Sequence, residues 1–121
     1  MTRDEFMAHC AKLPHTTHVI QWRGADVWKI GGKVFVIARC EDEQLTQASF
    51  KVSPMSFDIM KEQPGLRPAP HLASRGMLWI QWYSNETLSD DDLKSYLDSS
   101  HRLVASGLTK KKQRELGFLR D

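Results

Sequence analysis

Histidine and cysteine side chains, which can bind metal ions or act as bases and nucleophiles, are concentrated near the start of the chain. They are His9, Cys10, His15 and His18. Closed zinc sites require a regular spacing of such ligands, and this spacing matches none of the closed patterns. Cys10 also lies on the apolar stripe of a predicted helix, where a thiol packs as a small core residue. We therefore expect structural or surface roles for these side chains, and no bound metal ion.

Cationic side chains form a second candidate group, around a segment (residues 64–70) that contains three prolines. Arg67, His71 and Arg75 lie in or just after this segment, and Lys51 lies near the end of a predicted strand. Guanidinium and ammonium groups that are held on a rigid frame can bind phosphate oxygens. These residues are therefore a candidate phosphate-binding surface, and the alternative is ordinary solvated surface.

Three further motifs resemble parts of catalytic or metal sites, but each has a structural explanation. The Gly-Gly-Lys sequence at 31–33 lacks the Ser or Thr that follows the lysine of a phosphate-binding loop. The Ser-Ser-His sequence at 99–101 falls within a predicted helix, where neighbours in sequence do not face one another. Three aspartates at 90–92 stand at a helix start, where negative charge is favoured without a cation. We therefore predict that the protein is not an enzyme and binds no cofactor.

A helix at the amino terminus and several short strands must position these groups. Thr2 and Glu5 form a capping-box pattern, which predicts a helix over residues 3–12 that ends before Pro14. Segments rich in β-branched and aromatic residues then predict five strands. They span residues 18–22, 27–30, 34–39, 47–52 and 77–83.

Paired glycines at 31–32 are the clearest turn signal, because a two-residue hairpin turn needs positive φ angles. This turn would place Trp28 opposite Phe35, with Lys29 and Val34 on the other side of the sheet.

Burial in the predicted strands follows from their patterns. The strand 34–39 is apolar without alternation, which is typical of a central strand that is covered on both faces. The strand 47–52 alternates between apolar and polar residues, so Lys51 should lie on a face that is open to water. All four tryptophans fall in predicted strands, where core packing is the expected role for most of them.

Helices follow the strands toward the carboxyl terminus. Ser53 and Pro54 begin a short middle helix. The three prolines of segment 64–70 predict a rigid crossover. Ser89 caps a long last helix, and a basic tail starts at about residue 109. The expected fold is α+β: one domain over residues 1–121, with a single antiparallel sheet of about five strands, an N-terminal helix, a short middle helix and a long C-terminal helix.

Length and composition agree with a single globular domain. The chain has 121 residues, of which 40% are hydrophobic and 26% charged. Of its net charge of +2, residues 110–121 contribute +3, so the remainder carries 12 basic and 13 acidic groups. A nucleic-acid binder is therefore not indicated by total charge. Two distant cysteines, no apolar membrane-spanning run and no signal-peptide pattern favour the cytosol.

Four segments, taken in order, resemble the MmcQ/YjbR family. They are residues 27–35, 50–54, 64–72 and 100–104, and the resemblance extends from about residue 10 to residue 112. It implies an α+β fold similar to bacterial frataxin (CyaY-like) and a double-wing DNA-binding protein. It implies no catalytic residues. Met77 departs from the family pattern, since an aromatic residue is common there.

The residues and the resemblance together predict a non-enzymatic, bacterial, cytosolic protein that binds DNA through phosphates. The candidate contacts are Lys51, Arg67, His71 and Arg75, with Lys110, Lys111 and Lys112 of the tail adding nonspecific attraction. A protein- or ligand-interaction module that docks through the sheet face or the last helix is the alternative. A third alternative is metal handling by analogy with frataxin, which needs an acidic ridge on the first helix, where Asp4 and Glu5 stand.

Overall fold

The structure is a computed structural model that describes residues 1–72 and 75–119, and these residues form four helices and one six-stranded antiparallel sheet. The helices are α1 (Arg3–Ala11), α2 (Pro54–Met60), α3 (Asp90–Ser106) and α4 (Lys110–Glu115). The strands are β1 (Thr16–Gln21), β2 (Ala25–Ile30), β3 (Lys33–Glu41), β4 (Gln44–Lys51), β5 (Leu66–Pro68) and β6 (Trp79–Trp82). Side by side the strands follow the order β1-β2-β3-β4-β6-β5. The predicted α+β class, with a single antiparallel sheet, is confirmed.

The sheet has one strand more than the sequence predicts. The extra strand, β5, lies within the proline-rich segment and pairs antiparallel with β6, so that Arg67 stands opposite Gln81. Pro68 has no N–H to donate, but it ends an edge strand, where only one side of the strand pairs. The proline-rich crossover is therefore partly a strand.

The hairpin of β2 and β3 differs from its prediction by one residue. Both turn glycines have positive φ angles, and Lys29 pairs with Val34 as expected. Trp28, however, pairs with Val36 instead of Phe35. A β-bulge causes this difference, because the register shifts between Trp28 and Lys29 and leaves Phe35 without a paired residue on β2.

Helices α1, α2 and α3 pack on one face of the sheet and enclose the hydrophobic core. Leu93 and Leu97 of α3 are fully buried in the same cluster as Phe50 and Ile80 of the strands. Successive strand residues point to opposite faces, so Lys51, next to Phe50, lies on the face away from these helices. That face is called the outer face below. Lys51 lies on it as predicted, but Ser49 on the same face is buried, so this face of β4 is less open to water than its sequence pattern predicts.

Ser100 joins α3 to two central strands. Its buried hydroxyl donates to the carbonyl oxygen of Phe35 at 2.6 Å and accepts from the backbone N–H of Lys51 at 2.9 Å. One side chain thus satisfies two strand groups beneath the helix, which fixes α3 over the ends of β3 and β4.

Asp26 joins α1 to the first two strands. Its buried carboxylate accepts from Arg3 Nε and Nη2 at 3.0 and 2.9 Å and lies 2.8 Å from His18 Nε2. Burial disfavours the charged carboxylate, but the hydrogen bonds from Arg3 and His18 outweigh burial, so the pKa of Asp26 lies below its ordinary value.

Capping side chains begin the helices at the predicted positions. Thr2, Ser53 and Ser89 each accept a hydrogen bond from a backbone N–H in the first turn of α1, α2 and α3, and Ser89 forms a full capping box with Asp92. No helix formed by residues 1–72 and 75–119 combines the length and the apolar composition that crossing a bilayer requires.

Candidate functional site

The outer face carries cationic side chains on four strands. The pairing register places Lys29, Arg39, Lys51 and Arg67 on this face, from β2, β3, β4 and β5. Among the described strand residues of the face, the one carboxylate belongs to Glu41, at the end of β3. Since Lys51 lies beside the start of β3, Glu41 is roughly 20 Å away at 3.3 Å per residue. The outer face around Lys51 is therefore positively charged.

Arg67 is held in a fixed orientation on this face. Its Nε donates to Gln81 Oε1 at 2.7 Å, and its guanidinium lies 4.8 Å from the ring centroid of Tyr83. Gln81 is itself fixed, because its Nε2 lies 3.4 Å from Ser49 Oγ. The hydrogen bond through Nε leaves the two terminal guanidinium nitrogens of Arg67 directed away from Gln81, where they can donate to an anion.

Carboxylates do not neutralise three of the cations that the sequence predicts to bind phosphate. In the described part of the chain, Lys51, Arg67 and Arg75 take part in no ion pair within 4.0 Å. Lys51 is half-buried, whereas Arg67 and Arg75 are exposed. These three cations can therefore meet an external anion without first breaking an internal salt bridge.

A groove of about 440 Å³ runs from the outer face around the ends of two strands. It begins at Ile37 on the outer face, passes the start of β3 and the end of β4, and reaches Gly107 at the end of α3. Sites for small ligands commonly have volumes of roughly 300–1,000 Å³, so the groove can hold a small organic group.

Apolar and cationic side chains line this groove. Trp79 of β6 is buried in it, and Leu72 and Met77, from the segment between β5 and β6, line it. Lys33 and Lys51 supply the charge, and no carboxylate is among the lining residues in the described chain. The groove therefore suits a ligand with an apolar part and a negative charge.

Trp22 lines the same groove and corrects a prediction. The sequence places it at the end of a strand, but it lies in the turn between β1 and β2, and its side chain is 55% exposed. Trp22 and Arg23 both have positive φ angles, 49° and 63°, which bulky residues rarely adopt. The other three tryptophans are buried, as expected.

His71 and Arg75 lie after the proline-rich crossover, between β5 and β6. Arg75 is exposed and lies in the turn between Leu72 and Met77, whose backbone groups are joined by a hydrogen bond of 3.2 Å. His71, next to Leu72, is exposed and adopts a left-handed backbone conformation with φ of 68°. Leu72 and Met77 line the groove, whereas Arg75 and His71 are not among its described lining residues.

The three lysines of the tail lie beyond the other end of the groove. Lys110, Lys111 and Lys112 form the first turn of α4, whose cap, Thr109, follows Gly107 by two residues. Lys112 is paired with Glu115 at 3.9 Å. These lysines are not on the sheet, but they stand where the groove ends.

The structure thus brings Lys51 and Arg67 to the outer face of the sheet, whereas His71 and Arg75 lie in the segment between β5 and β6 and the tail lysines lie at the start of α4. Sequence reasoning missed Trp22, Lys33 and Arg39 as parts of this site. Lys33 and Arg39 could have been noticed from their positions in the hairpin, but the turn that exposes Trp22 has no strong sequence signal.

The histidines and the cysteine near the amino terminus each contact different parts of the protein. His9 Nε2 lies 2.7 Å from Asp98 Oδ1, and His15 packs edge-on against Phe118. Cys10 is fully buried, and burial raises the pKa of its thiol. Within the described residues no group of three or more His, Cys, Asp or Glu side chains is arranged to hold a metal ion.

His101 belongs to one of the segments on which the family resemblance rests, and it has a structural contact. Its buried ring donates from Nε2 to the carbonyl oxygen of Pro14 at 2.8 Å and meets the ring of Phe35 edge-on. Together with the contacts of Ser100, this bond explains why the Ser-His sequence lies on the inner face of α3 without forming a nucleophile and base pair.

A second cavity, also of about 440 Å³, lies between α2 and α3. Hydroxyl groups line much of it, from Ser53, Ser56 and Tyr96, together with the guanidinium of Arg102. Arg102 Nη2 donates to Ser99 Oγ at 3.1 Å. This cavity is on the opposite side of the molecule from the outer-face cations.

Known proteins with related sequences and structures match most of the chain. The protein YbdF of Escherichia coli O157:H7 is 30% identical over 93 residues, which cover 75% of this chain and 73% of YbdF. The crystal structure of Deinococcus radiodurans protein DR2400, with a DUF419 domain, is similar at a TM-score of 0.82 and 24% identity, over 98% of this chain and 89% of that one. A Pseudomonas syringae protein matches at a TM-score of 0.66 and 20% identity, over 85% and 98%.

The two solved structures support the same fold. The sequence model of the family named YjbR matches residues 11–103, a range that contains all six strands and most of α3. The ordered motifs from the β2–β3 hairpin to the buried Ser-His sequence of α3 fall within that range. The chain therefore belongs to the YjbR family.

Proposed function

We propose that this protein is a non-enzymatic, cytosolic DNA-binding protein that contacts phosphates through the outer face of its sheet. The observation that supports this function is a group of cations without carboxylate partners: Lys51 and Arg67 of the outer face and the exposed Arg75 form no ion pair within the described residues. A polyanion gains most from cations that are not already neutralised.

The fixed orientation of the Arg67 side chain supports this proposal. Arg67 is positioned by Gln81 and Tyr83, so little side-chain freedom is lost when a phosphate binds. Lys110 and Lys111, at the end of the groove, extend the positive surface beyond the sheet. The double-wing arrangement that the resemblance implies remains a prediction.

Binding to duplex DNA over a range of salt concentrations tests the proposal. The logarithm of the affinity should fall linearly with the logarithm of salt concentration, with a slope of roughly −0.9 for each phosphate contacted. The variant Lys51→Ala/Arg67→Ala/Arg75→Ala should weaken binding and flatten this slope by up to about 0.9 for each contact removed.

A matched control removes three cations elsewhere. Lys12→Ala/Lys94→Ala/Arg102→Ala changes the net charge equally, but Lys12 caps the end of α1, and Lys94 and Arg102 belong to α3, on the helix side of the sheet. In this control variant, the slope of log affinity against log salt concentration should equal that of the unmodified protein. An affinity independent of salt, or equal losses in both triple variants, would contradict a phosphate site on the outer face.

The second candidate function is a ligand-interaction module without a role in nucleic-acid binding. It is favoured by the hydroxyl-lined cavity between α2 and α3, which has the same volume as the groove. If this function is correct, Ser56→Leu, which fills the cavity, should abolish ligand binding, whereas the outer-face triple variant should leave it unchanged.

A further inference from the structure

We infer that the DNA bound by the outer face is single-stranded and that an unpaired base stacks on Trp22 inside the groove. This inference rests on the proposed function and names its substrate class. The inference adds a contact between the protein and a base of the DNA. Phosphate binding by the cations does not depend on this contact.

Trp22 is held in an exposed position by the rest of the fold. Arg39 Nη2 donates to the carbonyl oxygen of Trp22 at 2.7 Å, and Nη1 donates to that of Arg23 at 3.1 Å. The turn keeps unfavourable positive φ angles at both residues, while 55% of the Trp22 side chain meets solvent. A large aromatic ring that is about half exposed, on a backbone turn that Arg39 holds, is a ready stacking surface.

The groove beside Trp22 provides the rest of a base-binding site. Its lining includes the apolar side chains of Ile37, Trp79 and Met77, against which the edge and second face of a base can pack. Met77 is 42% exposed, so this apolar surface is open to solvent in the free protein.

Charge complementarity identifies the occupant as a nucleic-acid strand. Lys33 and Lys51 line the groove, and no acidic residue does so in the described chain. The groove leads from Trp22 past these lysines to Gly107, next to the exposed Lys110 and Lys111 of α4. A strand that follows this path keeps its phosphates near cations while one base enters the groove.

A single strand fits this arrangement better than a duplex. Paired bases are stacked on their neighbours, so a duplex offers no free base face to Trp22 unless it is first unpaired. Proteins that bind single strands combine a positive groove with aromatic side chains in the same way.

The test compares three ligands at one salt concentration: an oligothymidylate of about 12 nucleotides, a duplex and an abasic strand of equal length. The oligothymidylate should bind most tightly and should quench the emission of Trp22, since the other three tryptophans are buried. Trp22→Ala should weaken binding of the oligothymidylate by roughly 5- to 150-fold, the range found when a stacking residue is removed.

Two controls separate stacking from charge and from folding. Trp22→Phe keeps an aromatic face and should retain most of the affinity. Ile20→Ala removes another exposed apolar side chain, on the helix side of β1, and should change nothing. The salt dependence of Trp22→Ala should equal that of the unmodified protein, because no phosphate contact is lost.

The outcomes distinguish this inference from the proposed function. Equal, salt-dependent affinity for the abasic strand and the oligothymidylate, unaffected by Trp22→Ala, would overturn base stacking and leave phosphate binding intact. Tighter binding of the duplex would also overturn it. Absence of salt-dependent binding to all three ligands would overturn both.

Discussion

The guanidinium of Arg39 on β3 donates to the carbonyl oxygen of Trp22 at 2.7 Å, so a cation of the outer face holds the turn that exposes the indole. Arg39 therefore positions the Trp22 turn. Its guanidinium already donates hydrogen bonds to two backbone carbonyl oxygens. This contact crosses from β3 to the β1–β2 turn, over β2, and it links the shape of the groove to the pairing of the sheet.

Loss of Arg39 should release the Trp22 turn. In Arg39→Ala the two hydrogen bonds disappear, and since they are exposed we expect a loss of only about 1 kcal/mol of stability. The indole N–H of Trp22 should then show a lower heteronuclear NOE in nuclear magnetic resonance. Arg39→Lys should behave similarly, because an ammonium lacks the forked donors of a guanidinium. An unchanged NOE in both variants would show that the turn is rigid without Arg39.

Removal of the Asp26 carboxylate should destabilise the junction of α1 with the sheet. Asp26→Asn leaves Arg3 without its carboxylate partner, and we expect a loss of about 2 kcal/mol in urea unfolding at pH 7, moderated because the Arg3 side chain is 32% exposed.

The same carboxylate should make stability depend on acidity. Its pKa in the folded protein lies below the value of about 3.9 for an unfolded aspartate, so its contribution is present above pH 4 and is lost as pH falls through the lower folded value. As the pH falls below about 4, the unmodified protein should therefore lose stability more steeply than Asp26→Asn. Parallel stability curves for the two proteins would exclude this role.

Ser100 should matter far more than its neighbour Ser99. Ser100→Ala leaves the Phe35 carbonyl and the Lys51 N–H without their side-chain partner in the core, which should cost about 2 to 3 kcal/mol in unfolding free energy. Ser99→Ala removes a hydroxyl that contacts Arg102 near the surface and should cost less than about 0.5 kcal/mol. Similar losses in the two variants would mean that the buried junction is not the source of stability.

Alanine substitutions at Gly65 and Gly32 distinguish the destabilisation caused by backbone strain from that caused by steric overlap. Both have φ near +82°, but a Cβ at Gly65 would lie 2.6 Å from the Ser84 carbonyl oxygen, whereas a Cβ at Gly32 meets nothing within 4 Å. Gly32→Ala should cost about 1 to 2 kcal/mol from the left-handed conformation alone. Gly65→Ala should cost more and should displace β5, which carries Arg67. Equal melting temperatures would contradict this difference.

The two thiols should react in order of exposure. Cys10 is fully buried and its pKa is raised by burial, whereas Cys40 is partly exposed. A thiol reagent at pH 8 should therefore modify Cys40 in the folded protein, slowly because burial also raises the pKa of Cys40. Both thiols should react in urea. Reaction of Cys10 in the folded protein would show that α1 detaches from the sheet.

Local sequence patterns were sufficient for most of the elements. Helix starts at Thr2, Ser53 and Ser89 and the paired glycines of the hairpin were predictable, because caps and turns depend on residues a few positions apart. The alternation that places Lys51 opposite the core was predictable for the same reason. The register of the hairpin was not, since the bulge at Phe35 depends on how both strands pack beneath α3.

The sequence by itself determined the α+β class, the faces of β4 and the group of cations near the prolines. Only the tertiary structure decided that β5 joins the sheet, that Trp22 leaves the core and that Arg39 holds its turn. The physical reason is distance along the chain: these contacts join residues 14 to 17 positions apart, and no repeating pattern of side chains records such pairings.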